Sequence, residues 1–264
     1  MLEPGLELLL ALAAVALLAG FFDAIAGGGG LLTLPVLFIA GIEPVAAIAT
    51  NKFQAASATV SATAAFARKG MIEWRSGLPM AALAFVGGAA GALSVSLVPQ
   101  GLLQACVPVL LIAVAAWFAF TPKLQDMPRR ARISRSLFCL TAAPLIGFYD
   151  GIFGPGVGSF FMLACVLLLG QQLMAAVCTS KLLNAACNLG ALSVFALGGA
   201  IIWPLALAMA AAAIVGAQLG ARCAVRFGPG LIRPMLVVVC CVMAVKLLGT
   251  AGNPLGEWLK NVFS

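Results

Sequence analysis

The chain has 264 residues, 63% of them hydrophobic and 9% charged, with a mean hydropathy of +1.14. A soluble domain carries about 25% charged residues, so the composition leaves no room for a soluble domain of useful size. The net charge of +7 is therefore no nucleic-acid signal; the basic residues sit in short loops, where they report membrane orientation. The chain contains no histidine, which removes zinc-peptidase, haem and Ser-His-Asp chemistry.

Apolar stretches near the roughly 20 residues needed to span a bilayer recur along the chain. The short alternating segments of a β-barrel are absent. The sequence thus predicts an all-α polytopic membrane protein. Eight cysteines, with no C-x-x-C pair, read as buried small hydrophobes. No metal or other cofactor is expected.

In chain order, residues 5–24 form a first apolar segment. It opens with Glu3 and Glu7 rather than basic residues, so it reads as part of the mature fold and not as a signal peptide. It ends in Gly20-Phe21-Phe22-Asp23-Ala24-Ile25-Ala26 and the run Gly27 to Gly30. A short apolar run, 31–40, follows. Pro44 opens a helix running to about Phe66, since a proline in the first turn forfeits no hydrogen bond. A basic loop with Arg68, Lys69 and Arg75 leads to spans at 77–97 and 102–120. The stretch 121–136 is the most basic, with Lys123, Arg129, Arg130, Arg132 and Arg135.

The plan then repeats. Residues 137–153, with Pro144 as a kink, reach Gly147-Phe148-Tyr149-Asp150-Gly151-Ile152-Phe153-Gly154-Pro155-Gly156. Against the first motif, at a shift of 127, six of ten positions are identical. A short run at 157–169 and spans at 173–197, 201–221 and 234–252 complete the half. From the lysines onward the shift is 129: Thr50 with Thr179, Lys52 with Lys181, Trp74 with Trp203, Gly87 with Gly216 and Gly91 with Gly220. This gives a first membrane repeat at 1–120, a basic cytoplasmic linker at 121–136 and a second repeat at 137–264.

The basic loops 68–75, 121–136 and 222–233 should all face the cytoplasm. The counterpart of the first, at 198–202, carries no charge and should face out. Two similar loops on opposite sides predict inverted-topology repeats. We expect about 8–10 transmembrane segments, including Gly-broken or re-entrant helices; whether 31–40 and 157–169 cross or re-enter stays open.

A charge at mid-span costs about 2.5–3.5 kcal/mol on insertion scales, and such residues are functional by default. Asp23, Asp150, Lys52 and Lys181 form two matched pairs. Lys246 is unmatched and reads as a lysine reaching for the interface. Helical spacing aligns Lys181, Asn184 and Asn188 on one face, with Ser180 beside them, and sets Asn51 next to Lys52. These small polar groups bind substrate or join helices, and the two uses coexist. The glycines pack helices closely, or they break a helix and expose backbone donors to a cavity. Asp23 and Asp150 either pair with the lysines across the repeat or take up a coupling proton or Na⁺.

At these motifs the chain resembles the TauE/SafE family of sulfite-exporter-like membrane proteins. The resemblance rests on Asp23 to Gly30, on Thr50-Asn51-Lys52, on Gly147 to Gly151 with Gly154-Pro155-Gly156, on Gly158 with Ser159, and on Thr179-Ser180-Lys181. It covers essentially the whole chain. It implies a multi-pass transporter in a bacterial inner membrane that moves sulfur oxyanions or small organic acids. The expected substrate site comprises Lys52, Lys181, Asn51, Ser180, Asn184 and Asn188, with backbone at Gly28, Gly29, Gly30, Pro155, Gly156 and Gly158. An anion channel of the same architecture is the alternative. An intramembrane enzyme is disfavoured, because neither a nucleophile with its base nor a metal-ligand set is present.

Overall fold

A computed structural model describes residues 5–95 and 130–227, with a few isolated positions between 97 and 113. Most of the expected span 102–120 and of the basic stretch 121–136, and all of the span 234–252 with Lys246, lie outside the described residues. Every regular element among the described residues is an α-helix: α1 (Leu6–Ala26), α2 (Gly29–Ile39), α3 (Pro44–Arg68), α4 (Trp74–Val95), α5 (Arg135–Leu140), α6 (Ala142–Ile152), α7 (Val157–Leu169), α8 (Leu173–Leu197) and α9 (Trp203–Phe227). Four of these regions are long and apolar enough to cross a membrane: Leu6–Ile25, Trp74–Val95, Leu173–Leu197 and Trp203–Arg226. The protein is an all-helical integral membrane protein. The third helix has 25 residues, as many as α8, but its Asn, Gln, Lys, Ser and Thr residues make it less apolar.

Local chemistry sets the helix ends. Glu43 accepts from the Val45 and Ala46 N–H groups, and Pro44 occupies the first turn, so α3 starts where expected. Ser134 caps α5 by accepting from the Leu137 N–H at 3.1 Å. The stretch expected to kink at Pro144 divides instead at Thr141 into α5 and α6. A proline ring clashes with the carbonyl four residues back, here Leu140, so the helix yields just upstream of the ring. The seventh helix is bracketed by Gly156 and Gly170, both left-handed, a conformation that glycine adopts without steric cost.

Both short helices fold back beside the helix before them. A Cβ on Gly29 would stand 3.0 Å from the Ala19 carbonyl oxygen, so α2 returns along α1. The Arg132 and Ile133 N–H groups donate to the Leu168 carbonyl at 2.8 and 3.2 Å, so the far end of α7 returns to the start of α5. Arg135 also meets Glu73 at 3.0 Å, joining the loop after α3 to the first residue of α5. This hydrogen bond holds the Glu73 carboxyl below the usual carboxylate range, and the pair is exposed, where such bridges contribute little.

Packing divides the described helices into two bundles, each with members from both halves of the chain. One contains α1, α2, α3 and α9; the other contains α4 to α8. Within each bundle the tightest contacts put a glycine against a backbone carbonyl. A Cβ on Gly216 would collide with the Leu17 carbonyl, and one on Gly220 with that of Phe21. At the equivalent places in the other bundle, Gly87 meets the Pro144 carbonyl and Gly91 that of Phe148. Such backbone approach is what small residues provide where lipid offers no hydrophobic force between helices.

Helix directions follow from the same contacts. The pairings Leu17–Gly216 and Phe21–Gly220 advance together along α1 and α9. A second apolar cluster gathers Ile48 and Ala49 from the start of α3 with Ile201 just before α9 and Ala206 in its first turn. It also holds Ala92 and Val95 from the end of α4, and Ala191 and Phe195 from the end of α8. Hence α1, α3 and α9 run one way, and α4 and α8 run the other.

Replacing Gly216 by Leu should force α1 from α9 and cost about 1–3 kcal/mol by overpacking. The check is thermal unfolding in detergent, against Gly198→Ala. At Gly198 a Cβ meets only ordinary contacts at 3.6 Å and beyond, and the melting point should hold.

Candidate functional site

The four charges doubled along the sequence meet as two buried ion pairs, each joining one half of the chain to the other. Lys52 Nζ lies 2.7 Å from Asp150 Oδ1. Lys181 Nζ lies 3.2 Å from Asp23 Oδ2 and also donates to the Asp23 carbonyl. Both lysines are among the largest fully buried side chains. A lysine on α3 thus reaches a carboxylate on α6, and a lysine on α8 reaches one on α1. Both pairs bridge the two bundles. Of the two readings open from sequence, pairing across the repeat is the arrangement found in the structure.

The breaks supply the walls of this region. After Asp23 the chain turns through Gly27 (φ +75) and Gly28 (φ +135) into α2. The turn brings the Gly28 and Gly29 N–H groups to Asp23 Oδ1, at 3.0 and 3.2 Å. The donors that open α2 are therefore taken by a carboxylate of the same half, which places its negative charge at the positive helix end. The second break, through Gly154 (φ +89), Pro155 and Gly156 (φ +80), leads into α7. A Cβ on Gly154 would stand 3.0 Å from Lys52 Nζ, and one on Gly158 would stand 3.2 Å from Lys181 Nζ. Each ammonium group thus packs directly on bare backbone of the second break.

The remaining expected residues divide into two groups. Asn188 accepts from Lys52 Nζ at 3.5 Å and donates to the Asn184 side chain and carbonyl, both at 2.8 Å. A Cβ on Gly158 would stand 3.0 Å from Asn184 Nδ2. These residues therefore line one region with Lys181. Asn51 accepts from the Thr33 hydroxyl, and both Asn51 and Pro155 flank Gly30. Ser180 stands apart: its hydroxyl donates to the Val177 carbonyl of its own helix at 2.8 Å. Gln218 donates to Ser61 at 2.8 Å, an instance of small polar groups joining helices.

Three contributors were not among the expected site residues, although Ser159 and Tyr149 lie in the repeated motifs. Thr33 ties α2 to α3 through Asn51. Ser159 donates to the Gly27 carbonyl, joining the two breaks directly. Tyr149 donates to the Pro155 carbonyl at 2.8 Å, bracing the second break. Tyr149 is the chain's one tyrosine, and its place beside Asp150 was the available signal; nothing in sequence pointed to the other two partnerships.

A family model described as "Sulfite exporter TauE/SafE" matches residues 12–247. The chain belongs to the TauE/SafE family. A "Probable membrane transporter protein ORF9" from Sinorhizobium sp is 43% identical over 259 residues, covering 98% of this chain and 99% of that protein. The "Probable membrane transporter protein YfcA" of Escherichia coli strain K12 is 44% identical over 246 residues, covering 93% and 91%. A "Probable membrane transporter protein" of Haemophilus influenzae is 41% identical over 251 residues, covering 95% and 98%. No solved structure matches the chain. The family match thus runs through both breaks and both lysines.

Removing one partner of a buried pair strands the other charge and costs about 3–5 kcal/mol, whereas replacing both with apolar groups is often neutral. Lys52→Met and Asp150→Leu should each lower the melting point strongly, and the double variant should recover most of the loss. Lys181→Met with Asp23→Leu should recover much less, because Asp23 also holds two backbone N–H groups. Thermal unfolding in detergent reads all six proteins; additive losses at the first pair would count against it.

Proposed function

We propose that this protein is a secondary transporter for a small anion of the sulfite, sulfonate or small organic-acid class in a bacterial inner membrane. The reading rests on one observation above the others: two buried lysine–aspartate pairs bridge the two bundles at the backbone breaks. Two further points support it. The matching family model is described as a sulfite exporter, and the relatives are named as probable membrane transporters.

In this reading the substrate competes with the carboxylates for Lys52 and Lys181. The resting site has no net charge, two lysines against two aspartates, so it is not an open positive cradle. Asn51, Asn184, Asn188 and the backbone N–H groups at Gly30 and Gly158 would complete the anion's hydrogen bonds, whereas Pro155 has no N–H to offer. Alternating access would come from one bundle rocking against the other, with the ion pairs breaking and reforming between them. The moving bodies are then the swapped bundles rather than the sequence halves.

We further propose that the halves are inverted repeats, with the loops after α3 and α9 in the cytoplasm. The opposed directions of the counterparts α3 and α8 support this, as does the basic character of Arg68, Lys69, Arg222 and Arg226.

Two measurements test the reading. In proteoliposomes, Lys52→Ala and Lys181→Ala should each cut sulfonate flux by at least about tenfold, the loss of one charge-assisted hydrogen bond. Unchanged flux in both would remove the site assignment, and flux indifferent to imposed pH and Na⁺ gradients would favour a channel. For topology, Lys69→Cys and Gly198→Cys in a cysteine-free background should react with an impermeant thiol reagent from opposite sides. Labelling from one side would remove the inversion.

A further inference from the structure

The two ion pairs occupy equivalent places in the chain, yet their carboxylates are not equally satisfied. Both oxygens of Asp23 are engaged: Oδ1 accepts from the Gly28 and Gly29 N–H groups, and Oδ2 faces Lys181. In Asp150, Oδ1 faces Lys52, while Oδ2 is buried and has no hydrogen-bond partner. Buried polar atoms are nearly always paired, so an orphaned carboxylate oxygen calls for an explanation.

The sequence supplies it. Five residues after Asp23 stands Gly28, whose N–H binds the carboxylate; five residues after Asp150 stands Pro155. Proline has no N–H to give. The second break also follows a different path, with its left-handed glycines at 154 and 156 where strict equivalence to 27 and 28 would put them at 154 and 155, and no N–H reaches the orphaned oxygen. The Cys187 thiol lies close enough to act on the Asp150 carboxyl, but a thiol is a weak donor and its hydrogen bond goes to the Asn184 carbonyl at 3.3 Å.

We propose that Asp150, and not Asp23, is the proton-binding group that couples transport, its orphaned Oδ2 being the atom protonated. This rests on the transporter reading above and names its coupling ion. The step is a plain proton transfer: water from one compartment delivers a proton to Oδ2, giving a neutral carboxylic acid, and Lys52 stays an ammonium ion. The net charge of the four groups rises from zero to plus one. One monovalent anion at Lys52 restores neutrality, so proton and anion favour each other's binding and cross together. By linkage, each raises the other's affinity by the same factor. The same event replaces a full ion pair across the bundle interface by a contact between an ammonium ion and a neutral acid, which loosens one of its two bridges.

The groups that act on the Asp150 carboxyl are Lys52 from α3, Cys187 from α8 and, at longer range, Asp23 from α1; Tyr149 neighbours it on its own helix. Where α4 packs on α6 the contacts are Gly88, Gly91 and Ala92, with nothing that titrates.

The test has two arms. In the first, infrared difference spectra of the wild-type protein are recorded against pH with no substrate. A protonated-carboxyl band should titrate in the wild type, vanish in Asp150→Asn and persist in Asp23→Asn. In Pro155→Gly, which restores an N–H at the place equivalent to Gly28, its midpoint should fall to lower pH. A band that survives Asp150→Asn, disappears in Asp23→Asn or never forms overturns the assignment. If Asp150→Asn does not fold, the Pro155→Gly shift decides alone, and an unmoved midpoint overturns it. In the second arm, proteoliposomes with an internal pH dye receive a sulfonate, whose own acid is too strong to carry protons. Wild type should import one proton per sulfonate. Residual sulfonate flux in Asp150→Asn should ignore an imposed pH gradient, and a retained response overturns the coupling role. If the wild type moves no sulfonate while the Asp150 band still titrates, the transporter reading falls and the proton site stands.

Discussion

The structure depends on a reciprocal exchange of charge between two copies of one motif. A lysine inside a bilayer is tolerable only with a partner, and neither half of this chain pairs its lysine with its own aspartate. Lys52 takes Asp150, and Lys181 takes Asp23. Each half alone would leave one cation and one anion buried without an opposite charge, a loss of several kcal/mol per ion. The described structure satisfies all four only when the halves interlock. The same requirement explains why the bundles are mixed: α1 packs with α9, and α6 with α4, so each break is carried across to the other half's lysine.

Glycine makes the exchange geometrically possible. At Gly216, Gly220, Gly87 and Gly91 a side chain would collide with a carbonyl of the facing helix, so these positions fix how deeply α1 and α6 sink into their bundles. At Gly154 the nearest atom is instead the Lys52 head, and at Gly158 the Lys181 head lies just beyond the Gly27 backbone and the Asn184 amide. One residue type thus serves two ends, packing backbone on backbone within a bundle and leaving room for an ammonium group between bundles. A larger residue at the first kind of position moves a helix, whereas one at the second displaces a charge.

Much of this was legible in the sequence, because repetition is a local signal. The spacing of apolar runs gave the helices, and α7 and α8 match the expected 157–169 and 173–197 to the residue. The shifts of 127 and 129 singled out the two aspartates and the two lysines. Pairing was left open because it joins residues 158 and 98 positions apart, and a repeat constrains which residues are equivalent, not which touch. Thr33 with Asn51 and Ser159 with Gly27 were missed for the same reason. The place where α5 gives way to α6 was misjudged by three residues, since a proline disturbs the turn behind it rather than its own. The donors opening α2 were expected to face a cavity; the loop curls Asp23 onto them instead, a closure that depends on the left-handed glycines and on no residue type alone.

The departures from exact repetition carry as much information as the repeats. A symmetric pair of clasps would treat both carboxylates alike and could offer no preference for where a proton lands. The second half breaks that equality by one substitution, Pro155 in place of Gly28, together with two extra residues between its aspartate and its lysine: 31 from Asp150 to Lys181 against 29 from Asp23 to Lys52. The first clasp closes with two amides and a lysine, while the second closes with a lysine and leaves an oxygen over. In a medium that penalises every unpaired polar atom, an unmet acceptor beside a lysine persists only where something outside the chain can meet it, and a proton is the smallest thing that can.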